Sequence, residues 1–152
     1  MLIRNQLFVA DDPAATLANL TRHESLARLG IVIEMGVVIT QALVALWFYR
    51  LFKSVNAFAA GSIAAFGLVN AVAILGSAAM LATALDVSQD ASLTVSGGAA
   101  ATAQLLYVVS HHLWIIGRIF FGLWLIPMGW LARRSGWMPN LLGWFQIGRA
   151  HV

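Results

Sequence analysis

The chain contains no cysteine, which excludes disulfides, thiolate metal sites and cysteine nucleophiles in one step. Charge is nearly as scarce: only 10% of residues are Asp, Glu, Lys or Arg, while 61% are hydrophobic. A water-soluble domain is near half apolar and a quarter charged, so this composition does not fit one. The net charge of +3 is small and its basic residues are dispersed over several loops and one apolar run, which excludes nucleic acid as a partner. The opening MLIRNQLFV has neither the long apolar region nor the small-residue cleavage site of a secretory signal. Catalytic signatures are missing too. There is no Gly-x-Ser-x-Gly elbow, and Ser110 beside His111 is only a sequence neighbour. Gly97-Gly98 follows no strand and leads to no Lys, so it is no phosphate loop. His111 and His112 are adjacent, hence about 100° apart on a helix, unlike an i, i+4 pair that grips one ion. No metal and no cofactor is implied.

What is present is a set of long apolar runs. LWIIGRIFFGLWLIPMGWLA, from Leu113 to Ala132, is twenty residues with one charge, Arg118. Twenty helical residues rise about 30 Å, the thickness of a bilayer's hydrocarbon core. His111 and His112 precede it, Arg133 and Arg134 follow it, and Trp114 and Trp130 stand near its ends as interfacial anchors do. Pro127 lies inside it and predicts a bend. Residues 29–49 form another run, interrupted by Glu34, Thr40 and Gln41, and residues 57–85 a third, long enough to cross with tilt. In that third run Ala57, Gly61 and Ala65 repeat every four residues, the small-residue pattern that lets helices approach closely.

These runs predict an all-α, multi-pass transmembrane helical bundle: three full spans at about 29–49, 57–85 and 111–132, and the start of a fourth at 139–146. Residues 99–110 read as a helix continuing into the span at 111–132. Residues 1–28 read as an external amphipathic segment, with Asp12 as N-cap, Pro13 at the first helical position and a helix running to about Arg28. Lys and Arg number two in loop 50–56, none in 86–96 and two in 133–136. By the positive-inside rule loops 50–56 and 133–138 are cytoplasmic, and 1–28 and 86–98 lie outside. The last six residues, IGRAHV, translate one reading frame of a common sequencing adapter, ATC GGA AGA GCA CAC GTC, so 147–152 reads as an artefact and the native chain is expected to continue past Gln146.

Several stretches together resemble a bacterial integral-membrane family called domain of unknown function 4386: DDPAATLANLTRHESLARLGIVIE, WFYRLFKSVN, HHLWIIGRIFFGLWLIPMGWLARRSGWMP and LLGWF. The resemblance spans residues 11–146 and implies a family member of about six spans in the cytoplasmic membrane, of which this chain holds a fragment. It implies no activity and supplies no catalytic residue. In the family the third block carries little charge after its His, whereas here it contains Arg118.

The polar residues inside the spans form the candidate site. A charge at a span's centre costs about 2.5–3.5 kcal/mol on insertion scales, so Glu34 and Arg118 should not face lipid unpaired. Gln41 follows Glu34 by seven residues, Ser77 follows Asn70 by seven, and Arg118 follows His111 by seven. Seven residues return to nearly the same helix face. Each span thus carries a polar stripe, and the expectation is that Glu34, Gln41, Asn70, Ser77, His111 and Arg118 converge inside, with Glu34 and Arg118 level in depth. Three roles are open: organising helix packing, lining a small solute or proton path, or acid and base chemistry between His111 and Glu34 in an intramembrane enzyme. Expected partners are the lipid bilayer and, beyond it, another membrane protein, such as a transport or signalling system that the chain serves as accessory subunit, or a second copy of this chain.

Overall fold

The computed structural model describes residues 2–136, and every regular element among them is helical. The elements are α1 (Leu2–Leu7), α2 (Pro13–Arg22), α3 (Glu24–Phe52), α4 (Ala57–Gln89), a 3-10 turn at Ala91–Leu93 and α5 (Gly98–Ser135). The expected start of a fourth span at 139–146 and the tail at 147–152 lie outside the described residues.

Three of these helices, α3, α4 and α5, are long and apolar enough to cross a membrane. α5 has 38 residues, hence a length of about 57 Å, well beyond a hydrocarbon core of about 30 Å. It continues unbroken through Pro127. The chain enters it through Gly97 and Gly98, at φ 124° and 90°, a backbone that side chains disfavour. Asn56 starts α4 by accepting a hydrogen bond from the Ala59 amide at 2.9 Å.

The amino-terminal segment differs from expectation in two ways. α1 has no periodic signature in the sequence and was not foreseen. α2 opens at Pro13, where Asp12 accepts from the Ala15 amide at 2.9 Å, but it stops at Arg22 instead of running to Arg28. His23 leaves helical geometry (φ −116°, ψ 42°), and its carbonyl accepts from Leu26 and Ala27, so it begins α3. The residues expected to end the external helix therefore open the first long one.

Two compact units divide the chain. Among the described residues the first comprises 2–36 and 74–114, the second 37–73 and 115–136. In the first, Leu20 from α2 packs with Leu7 of α1, Ala27, Ala84, Leu85 and Ala103. Leu20, on the apolar side of the segment read as amphipathic, is thus buried against the long helices at 2% exposure, and Thr16, on its polar side, is buried as well. In the second, Phe52, Ala60, Ile63, Trp124, Met128 and Leu131 form the core.

Close helix approach in the second unit depends on glycines other than those the four-residue pattern marked. A Cβ on Gly67 would lie 2.7 Å from the Ala45 Cβ, and one on Gly117 would lie 2.9 Å from the Asn70 Oδ1. One on Gly61 would meet nothing within 4 Å, and Ala57 and Ala65 are exposed. The spacing of small residues was real; the face it marked is not the packed one.

Candidate functional site

Within the first unit, α1, α3, α4 and α5 each send a polar side chain to one junction. Glu34, on α3 amid apolar neighbours, is 7% exposed. Its Oε1 accepts from both the Nε (2.8 Å) and Nη2 (2.5 Å) of Arg4 on α1, forming a buried ion pair. Arg4 Nη2 also donates to the Ser77 Oγ of α4 at 2.6 Å, and Ser77 donates to the second carboxylate oxygen at 3.3 Å. Ser77 and Ser110 of α5 share a further hydrogen bond at 2.9 Å, and both are 0% exposed. Every member is thereby tied to at least one other, as a polar group out of reach of water requires.

Aromatic rings enclose the cation. The Arg4 guanidinium carbon lies 5.7 Å from the Tyr107 ring centre and 5.9 Å from that of Trp114, both within cation–π range. Tyr107 also donates its hydroxyl to the Arg4 carbonyl at 2.9 Å and stacks on Phe8 with ring centres 4.5 Å apart. Arg4 Nη1 and Trp114 Nε1 are buried without a hydrogen-bond partner, so the far edge of the guanidinium rests on ring faces alone.

Further bonds fasten the same segment. Thr16 accepts from the Val9 amide (3.1 Å) and donates to the Val9 carbonyl (3.2 Å). Asn19 donates to the Leu7 carbonyl and Gln104 to the Val9 carbonyl, each at 3.3 Å. The residues just after α1 are therefore held from α2 and from α5 together.

Of the six residues expected to converge, the structure brings together Glu34 and Ser77. The cation bonded to Glu34 is Arg4; Arg118, level with Glu34 in depth along its span, belongs to the second unit and its side chain is exposed. Its level in the sequence said nothing about which way it faced. Asn70, 6% exposed, and Gln41 also lie in the second unit. The Gln41 Nε2 is buried there without a hydrogen-bond partner. His111 is exposed, its ring edge-on to His112 at 6.2 Å, so the stripe through His111 and Arg118 runs along an outward face of α5. Among the described residues no group of three or more His, Asp and Glu side chains could hold a metal ion.

Sequence reading missed Arg4, Tyr107 and Ser110. A stronger use of one signal could have found Arg4: it is the one charge in an otherwise uncharged opening, MLIRNQLFVA, and an apolar segment with a single cation needs an acceptor.

Compared with known proteins, residues 1–150 match the family described as "Domain of unknown function (DUF4386)". No match was found among curated proteins or solved structures.

Proposed function

This chain belongs to the DUF4386 family, and from that premise we propose that it is a multi-pass membrane protein whose interior polar residues organise helix packing, with the Arg4–Glu34 pair clamping the amino-terminal segment onto the spans. The observation that carries this reading is the saturation of Glu34: Arg4 and Ser77 take its two oxygens, and Ser77 and Ser110 are wholly buried behind them. A proton or solute path needs a carboxylate that can exchange partners, whereas this one is bonded on both oxygens and covered. The same saturation argues against Glu34 as a catalytic base for His111, whose ring faces outward.

The orientation we assign puts the Arg50/Lys53 loop and the Arg133/Arg134 end of α5 on the cytoplasmic side of a bacterial inner membrane, with α1, α2 and the Asp86/Asp90 region opposite. Accessory service to a transport or signalling partner is compatible with a packing role and adds no further residue to it.

Reconstitution into vesicles carrying a pH-sensitive dye tests the packing role. We expect proton leakage no faster than in empty vesicles, for the wild type and for Glu34→Gln, while Glu34→Gln melts several degrees lower in detergent. Proton flux in the wild type that Glu34→Gln abolishes would establish a conducting role instead.

A further inference from the structure

All six acidic residues of the chain, Asp11, Asp12, Glu24, Glu34, Asp86 and Asp90, fall in the first unit. The second unit has no carboxylate side chain at all, and among its described residues carries Arg50, Lys53, Arg118, Arg133 and Arg134. In this unit lies a groove of about 400 Å³ between the first turns of α4 and the last turns of α5. Phe58, Phe66, Leu123, Ile126, Pro127 and Trp130 line it, so its walls are almost entirely hydrocarbon and aromatic. Its few polar side chains are already engaged: Asn56 caps the Ala59 amide, and Ser62 donates to the Phe58 carbonyl at 3.0 Å. A volume of this order is that of a small-molecule pocket.

One cation reaches the groove wall directly. The Arg134 guanidinium lies over the Trp130 ring, 4.6 Å from its centre. A groove that takes a hydrocarbon tail therefore has a fixed positive group beside it, in a unit with no acid to compete. Basic pockets between spans near the cytoplasmic surface are where anionic lipid headgroups bind. We propose that this groove is a binding site for an anionic phospholipid, one acyl chain lying along Phe58, Phe66 and Ile126 and the phosphate paired with Arg134. Charge complementarity selects this occupant over a zwitterionic lipid, whose own ammonium group would meet Arg134 and find no carboxylate in the unit.

Native mass spectrometry of the purified protein tests this, after incubation with equimolar phosphatidylglycerol and phosphatidylcholine of identical acyl chains. The wild type should retain phosphatidylglycerol in excess. Arg134→Gln should cut that excess about fivefold, the effect of one cation near an anionic surface. Ser62→Trp, which fills the groove, should remove both lipids from the retained population. Arg22→Gln, the same charge change on α2 in the first unit, should leave the excess as it was. Equal retention of the two lipids by the wild type, retention of neither, or an Arg22→Gln effect as large as that of Arg134→Gln would each overturn the proposal.

Discussion

Glu34 could be singled out from the sequence because a lone carboxylate in an apolar helix must be paired or pay several kcal/mol. Ser77 was reachable by the seven-residue step from Asn70, although the two end in different units. Arg4 was not reachable by periodicity: α1 has six residues, too few to show a repeating face, and its bond to Glu34 closes a gap of thirty residues. Arg118 misled because depth along a helix is legible in a sequence, while the direction a side chain faces depends on neighbours not yet placed. A second carboxylate can be judged by itself. Asp90, in the turn after α4, is held below the ordinary carboxylate range by hydrogen bonds from the Ser92 hydroxyl and then from the Ser92 amide, the latter at 2.9 Å. A folded-state pKa below the unfolded value stabilises above the unfolded pKa and is lost as pH falls through the folded one. Protection of the Ser92 amide should accordingly be constant from neutrality down to about pH 4 and fall below it; in Asp90→Asn it should vary little with pH. Loss of protection between pH 7 and 5 would contradict the assignment.

At the scale of elements, length and hydropathy were the legible quantities. The three long helices follow from long, predominantly apolar runs, and the start of α2 from Asp12-Pro13, where local chemistry decides. The end of α2 was not legible. Residues 24–28 suit either the close of a surface helix or the opening of a long one, and His23 settles it through backbone geometry that composition does not announce. The small-residue pattern failed for a related reason: α4 is so rich in Ala and Gly that a four-residue repeat arises on faces that pack and faces that do not. The structure transfers that role to Gly67 against Ala45 and Gly117 against Asn70. Gly67→Ala forces α3 and α4 apart, and overpacking of this kind costs about 1–3 kcal/mol. We expect a lower melting temperature in detergent for Gly67→Ala and an equal or slightly higher one for Gly61→Ala, where the added methyl group has open space and the helix loses a glycine. Equal effects at both positions would show that backbone freedom, and not the helix contact, sets their importance.

Over the whole molecule, the most informative feature is the partition of charge, with every acid in one unit and five described cations in the other. Counting loop charges anticipated this on the Arg50/Lys53 and Arg133/Arg134 loops, and the orientation rests on it. The absence of cysteine makes that orientation simple to check, since any introduced thiol is unique. In bacterial cells a membrane-impermeant maleimide should label Ser96→Cys in intact cells and Ser54→Cys only after permeabilisation; the reverse pattern would invert the topology. The amino-terminal segment is fastened to the long helices through Arg4 and Glu34, and a double-mutant cycle in reversible detergent unfolding puts that fastening to the test. Arg4→Met and Glu34→Gln each leave a buried group without its partner and should each cost about 3–5 kcal/mol. The double variant removes both charges, so it should lose clearly less than the two combined, by at least about 1 kcal/mol. Losses that add to within about 0.5 kcal/mol would mean the two side chains act independently, and the clamp would not exist.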